Sequence, residues 1–311
     1  MKNIATLTLN PTIDVAYEVD RVLHTHKMRT LKEHYDPGGG GINVARVFVR
    51  LGGNARCYYL SGGATGHALD GLLDLHQLVR CRIQIAGPTR VSTSILEHES
   101  SKEYRFVPPG PTVAPEEWQE CLDRIAEADC DYLVASGSLP PGLPEDFYAR
   151  VAAIAAGRGI RMILDSSGPG LRGGLAGGNV FLVKPSLGEL RQLTGQELGN
   201  TEAIAAAAMD IVNSGKSELV AVTLGHEGAL LARKSGTLRL PALAIEAKSA
   251  VGAGDSFLAA MVHALATGRD PVEAFRFGIA AGAAAVLTPG TNLSQPPDIM
   301  RLYALVAPAN P

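Results

Sequence analysis

This chain of 311 residues lacks long apolar runs, paired cysteines and any strong excess of one charge. Its most apolar stretch, FGIAAGAAAVL at 277–287, is too short and too rich in Gly and Ala to span a bilayer, and it reads as a buried helix. Four cysteines, Cys57, Cys81, Cys121 and Cys130, form no CxxC pair and no disulfide framework. They are read as buried thiols in a reducing compartment. With 28 Lys and Arg against 31 Asp and Glu, scattered rather than blocked, the net charge of -3 argues against a nucleic-acid or membrane surface. The start, MKNIATL, has neither a basic region nor a long apolar one, so it reads as a first strand rather than a secretory signal. A cytoplasmic location is therefore expected. No repeat, low-complexity tract or linker interrupts the chain, which is read as a single domain over 1–311.

Short β-branched runs alternate with helical patterns. Strands are expected at 132–136, 161–165, 180–183 and 219–223, with helices at 144–157 and 201–214. Such alternation means βαβ units and a mainly parallel, doubly wound sheet, whose ligands gather at the carboxyl ends of the strands. Two regions instead show period-two alternation, as half-exposed antiparallel strands do: 15–35 and about 91–107. Together they are expected to form a small β-sheet lid.

Several nucleotide-like patterns fail on inspection. Gly215-Lys216-Ser217 resembles the end of a P-loop, but Asp210 stands where the upstream glycine belongs, and the segment follows a helix. GPGLRG at 168–173 matches GxGxxG and would support an NAD-linked oxidoreductase, but its proline and repeated glycines look like poor helix material. The eight histidines show no metal-ligand spacing and are given surface or packing roles.

Two glycine-led helix starts are stronger. In DPGGGGINVAR at 36–46, four glycines allow positive φ and close approach of backbone N–H groups, with a helix expected from 44 to 51. So costly a loop is better explained by ligand binding than by an idle turn. In AVGAGDSF at 250–257, Gly252, Ala253 and Gly254 leave amides able to cradle an oxyanion, and Asp255 opens an apolar helix. Asp255 alone could be an ordinary helix-start carboxylate. Beside a second such start, a base at an anion hole is the better reading. A helix N-terminus should lower its pKa, and a weak base suffices where proton transfer is late. TLGHEG at 223–228 and KPSLGE at 184–189 each follow an expected strand.

These residues together resemble the ribokinase-like, phosphofructokinase-B family of sugar kinases. GGGGINVAR is similar to its first signature and VGAGDSF to its second. Further matching segments (TLNP at 8–11, GGATG at 62–66, YRFV at 104–107, SGSLPPG at 136–142, DSSG at 165–168, IVNSGK at 211–216) extend the resemblance over nearly the whole chain. It implies an αβα sandwich with a β-lid that also makes a homodimer contact. It also implies ATP-dependent transfer of a phosphoryl group to fructose 6-phosphate.

The same resemblance implies that Asp14, Gly39, Gly40 and Asn43 line the sugar pocket. Arg90 and Ser138 would hold the sugar's phosphate, with Lys27 and Arg29 as basic lid positions nearby. Lys184, Ser186, Thr223, Gly225 and Gly228 fall on the nucleotide side, Glu189 helps to organise Mg²⁺, and Asp255 is the base. Ser249, Val251, Ala285, Gly290 and Asn292 fall where relatives bind a monovalent cation, K⁺. Two departures stand out: the asparagine of the family's NxxE is Ser186 here, and the usual Asp-Thr before GAGD is Ser249-Ala250. Kinases of the same family acting on fructose 1-phosphate or tagatose 6-phosphate are the near alternatives. A non-catalytic sugar-binding protein is a further one.

Overall fold

A computed structural model describes residues 2–246, 251–287 and 292–306. The chain opens with β1 (Ile4–Thr8), β2 (Thr12–Val19), β3 (Lys32–Gly38) and α1 (Gly40–Arg50). Next come β4 (Ala55–Ser61), α2 (Gly63–Leu75), β5 (Val79–Gln84), β6 (Arg90–Glu97), β7 (Lys102–Phe106) and α3 (Pro115–Ala126). Regular alternation follows through β8 (Tyr132–Ser136), α4 (Phe147–Gly157), β9 (Arg161–Asp165), α5 (Gly168–Ala176), β10 (Val180–Val183), α6 (Leu187–Thr194), α7 (Thr201–Asn213) and β11 (Ser217–Thr223). The chain then forms β12 (Ala229–Arg233), β13 (Gly236–Leu240), α8 (Ala253–Ala266), α9 (Pro271–Val286) and α10 (Pro296–Tyr303).

Nine strands make one sheet in the order β13-β12-β11-β10-β9-β8-β1-β4-β5, parallel except where β12 pairs with β11 and β13. Its inner strands, such as β1, β8 and β10, are buried on both faces, as a doubly covered sheet requires, while the edge strands β5 and β13 are partly exposed. One core joins α1, α2, α8, α9 and α10 to one face. A second core joins α3, α4, α5, α6 and α7 to the other. The result is a ribokinase-like αβα sandwich. Strand order reverses between β1 and β8, so the crevice beyond Thr8 and Ser136 is the place to look for ligands.

The second sheet, β3-β2-β6-β7, is the expected lid. Its boundaries differ from the expectation in one place. Residues 28–31 lie outside the strand, and β3 runs on through Pro37 to Gly38. An edge strand has no partner for one row of N–H groups, so proline is tolerated there.

The helix at 168–176 is a correction. Pro169 sits in the first turn of α5, where its missing N–H costs nothing. The glycines allow close packing: a Cβ on Gly173 would lie 1.9 Å from Glu145 O, and one on Gly174 would lie 2.7 Å from Leu164 Cδ2. α1 also begins four residues before the expected position, at Gly40. Residues 277–287 fall largely within α9, which is buried. No helix among the described residues is long and apolar enough to cross a membrane. Cys57 and Cys121 are buried free thiols, and burial pushes both up to about 12.

Candidate active site

The two glycine-led starts, far apart in sequence, meet. Asn43, in the first turn of α1, donates from Nδ2 to Asp255 Oδ2 at 2.8 Å. Asp255 stands in the first turn of α8, after Gly252, whose positive φ of 71° turns the chain into the helix. Ala253, Gly254 and Asp255 are the first three residues of α8, so their amides have no acceptor one turn back and are available to an anion. The pKa of Asp255 is raised, not lowered as expected. Burial drives it up, while the Asn43 hydrogen bond and the charges of Lys184 and Arg46 oppose the rise. Desolvation outweighs the helix terminus here. The carboxylate is thereby more basic than the sequence suggested.

Lys184, at the end of β10, is buried, and its Nζ lies 3.1 Å from Asp165 Oδ1 at the end of β9. A Cβ on Gly254 would lie 3.4 Å from the same Nζ, which places the ammonium beside the α8 cradle. Burial works against that ammonium, yet Asp165, Asp255 and Glu189 outweigh it and hold its pKa above the ordinary lysine value. Burial pushes Asp165 up to about 6, against the pull of Lys184. The sequence reading gave Asp165 no role of its own. A carboxyl-terminal strand position was the available signal.

Ser186 and Glu189 form a capping box at the start of α6. Glu189 N donates to Ser186 Oγ at 3.2 Å, and Ser186 N donates to Glu189 Oε2 at 2.7 Å. One oxygen of Glu189 is therefore committed to the helix start. Thr223 N donates to Pro185 O at 3.0 Å, which draws the turn holding Gly225 and Gly228 beside Ser186. A Cβ on Gly228 would lie 2.1 Å from Leu240 O, so only glycine fits there.

On the lid side, Asp14 projects from β2 onto Gly38, where a Cβ would lie 2.0 Å from its Oδ2. Burial pushes Asp14 up to about 6, opposed first by Arg105. Asp14, Ser92, Ser94 and Arg105 line a small cavity that Val251 closes from the α8 side. Arg105 on β7 was not singled out from the sequence, because only lid pairing brings it to Asp14. Gly39 caps α1 at φ 115°, and Gly40 packs on Ser136.

Arg90 donates from Nη2 to Asn10 O at 2.8 Å and from Nη1 to Pro108 O at 2.9 Å. Asn10 Nδ2 lies 3.5 Å from Ser138 Oγ, so Arg90, Asn10 and Ser138 gather at the β1–β8 switch point. Two donors of Arg90 are thus committed to carbonyls, and its buried Nε has no hydrogen-bond partner among the described residues. Lys27 and Arg29 stand exposed in the β2–β3 connection, and no hydrogen bond joins either to Asp14, Arg90 or Ser138. Ser249 and Gly290 lie outside the described residues. Val251 and Asn292 directly precede Gly252 and Leu293, which the structure brings together: a Cβ on Gly252 would lie 2.4 Å from Leu293 Cδ2. Ala285 is buried near the end of α9.

An αβα sandwich with a small sheet over its strand ends, a carboxylate at a glycine-led helix start and a buried lysine beside it defines a small-molecule kinase. The chain belongs to the pfkB family of carbohydrate kinases, whose pattern matches residues 7–298. It is 44% identical over 306 residues to ATP-dependent 6-phosphofructokinase isozyme 2 of Mycobacterium tuberculosis, covering 98% of this chain and 90% of that protein. The Escherichia coli protein of the same name is 38% identical over 308 residues, covering 99% of this chain and all of that one. A 1-phosphofructokinase of Xanthomonas campestris is 34% identical over 267 residues, covering 84% of this chain and 83% of that protein. Phosphofructokinase-2 of E. coli, solved with potassium, superposes with a TM-score of 0.94 at 38% identity, covering 98% of this chain and 99% of that one. Its complex with fructose-6-phosphate gives 0.92 at 37% identity with the same coverage.

Proposed function

We propose that this kinase transfers the γ-phosphoryl group of ATP to the 1-hydroxyl of fructose 6-phosphate. The observation that carries the reading is the 2.8 Å bond from Asn43 to Asp255, which joins the sugar-side helix start to the anion cradle. Asp255 takes the hydroxyl proton as the new P–O bond forms, while the bond from the γ-phosphorus to the bridging oxygen breaks and ADP leaves with its electron pair. The amides of Ala253, Gly254 and Asp255, with Lys184 beside them, face the charge that spreads over the transferring group. Asp14 accepts hydrogen bonds from sugar hydroxyls, and Arg90 with Ser138 meets the phosphate the sugar already carries. Lid and core act as one unit in this reading, because β3 runs directly into α1.

The family uses a divalent ion with its nucleotide, and we assign Mg²⁺. Among the described residues no three carboxylate, imidazole or thiol groups converge into a metal cage. That fits an ion held through water and nucleotide oxygens with one or two carboxylates, here Glu189 and Asp165. When bound, it neutralises phosphate charge. The K⁺ assignment rests on the likeness to the potassium-bound E. coli structure and on the meeting of the 251–252 turn with the segment at 292–294.

Pairing of two chains through the lid is supported by its exposed apolar side chains. Leu31, Tyr35, Leu96, Phe106 and Val107 are all exposed, the last two at 59% each, and they lie on the lid or the segments flanking it. Use of ATP and four unpaired cysteines support a cytoplasmic setting.

The substrate choice follows the more similar relatives over the 1-phosphofructokinase. Measuring kcat/KM for fructose 6-phosphate, fructose 1-phosphate and tagatose 6-phosphate with Mg-ATP tests it. Fructose 6-phosphate should lead by tenfold or more, about 1.4 kcal/mol of transition-state preference. A tenfold lead for either other sugar overturns the substrate and leaves the kinase.

A further inference from the structure

Arg46 sits on α1 one turn beyond Asn43 and is 3% exposed. Its Nη2 donates to Asp36 Oδ1 at 2.5 Å. Its Nη1 donates to Pro37 O at 3.1 Å and to Asn43 Oδ1 at 3.3 Å. Asp36 and Pro37 belong to the lid strand β3, and Asp36 stands directly opposite Asp14 in the β2–β3 ladder. A continuous set of contacts therefore runs from the lid strand through Arg46 and Asn43 to Asp255.

The chemistry of the two groups fixes the direction of that set. A guanidinium has donors and no acceptor, so the Asn43 amide must turn its oxygen to Arg46. Its NH₂ then faces Asp255, which as a carboxylate accepts. The carboxylate favours the same orientation, and the guanidinium holds the amide from its other end, so a flipped amide would be mismatched at both contacts.

We propose that Arg46 is a positioning residue: it sets the Asn43 amide so that N–H meets Asp255, and its anchorage on β3 ties that setting to the seating of the lid. Simple neutralisation of buried Asp36 is an insufficient account. His34 Nε2 already lies 3.0 Å from Asp36 Oδ2, and His76 Nε2 lies 3.6 Å from Oδ1. Neither of those contacts requires a guanidinium that also reaches Asn43. The inference rests on Asp255 being the base.

The test is a cycle of Arg46→Met, Asn43→Ala and the pair, read as kcat and both KM values. Arg46→Met alone leaves the buried Asp36 carboxylate without its guanidinium, so Asp36→Leu/Arg46→Met, which removes both charges, is measured beside it. Arg46→Met and the charge-free pair should each lose roughly 10–100-fold in kcat, the scale of a misplaced catalytic group, with KM for ATP within about twofold. Adding Arg46→Met to Asn43→Ala should cost no more than about a further twofold. Losses that multiply, or a folded charge-free variant with wild-type kcat, overturn the proposal. Should Arg46→Met fail to fold, the charge-free variant decides alone, and should that too fail to fold, Arg46 is structural and the proposal is wrong. Asp255→Asn separates the two readings: full turnover there removes the base itself, whereas a strongly impaired Asp255→Asn with multiplying losses in the cycle removes only the positioning role.

Discussion

The two glycine-led helix starts look alike in sequence and differ in what their missing side chains make room for. At the start of α1 the space is taken by the protein. A Cβ on Gly38, Gly40 or Gly41 would lie 2.0, 2.1 or 2.5 Å from Asp14 Oδ2, Ser136 Oγ or Thr8 Oγ1. At the start of α8 the space beside Gly254 is open except for Lys184 Nζ at 3.4 Å. Only the second is a cradle in the sense of leaving volume for a ligand. The first lets the helix start press on the strand ends, so that Asn43 reaches Asp255. Four glycines in a row are therefore evidence of close approach, and what approaches can be the protein's own strands.

Substitution can break this comparison. Gly40→Ala should destabilise the fold by about 1–3 kcal/mol, the scale of overpacking, with Ser136 and its backbone unable to withdraw. Gly254→Ala should leave stability unchanged or raise it by up to about 1 kcal/mol, while KM for ATP rises because the methyl group enters the cradle. Thermal unfolding and steady-state kinetics of the two proteins check both statements, and equal loss of stability would dissolve the distinction.

Asp14 sharpens the lid side. Its folded pKa of about 6 lies above the ordinary carboxylate value, so the folded state holds its proton more tightly than the unfolded chain. Stability from this group is full below about pH 4 and is lost as pH rises through 6. Asp14→Asn should then gain on the order of 1–2 kcal/mol at pH 7.5, gain nothing at pH 4, and lose sugar affinity. Denaturant unfolding at the two pH values, with KM for the sugar, measures it. The smallest effect is expected at the start of α6. Asparagine caps helices as well as serine, so Ser186→Asn should change stability by less than about 0.5 kcal/mol and keep the Mg²⁺ dependence of the rate. A lost dependence would mean that the Ser186–Glu189 box organises the ion in a way an amide cannot reproduce.

Much of this was legible because it is local. The strands at 132–136, 161–165 and 180–183 have the boundaries their apolar runs suggested, and both glycine motifs sit at helix starts. What escaped depends on partners distant in sequence. Arg105 reaches Asp14 only through pairing of β6 with β2 and β7, and Asp165 acquires its lysine from the next strand. The direction of the Asp255 shift was misjudged for the same reason, since the helix terminus is visible in sequence and burial is not. α5 was misread because proline in a first turn and glycines at a helix contact were weighed as if they stood mid-helix.

The central claim is that the second glycine-led start holds a base and the first aims it. Turnover of Asp255→Asn with fructose 6-phosphate and Mg-ATP, alongside direct binding of each substrate, tests this most directly. The account predicts a kcat lower by roughly 10²–10⁴-fold with both dissociation constants within about threefold of wild type. A purified, folded variant turning over within a few-fold of wild type would contradict it.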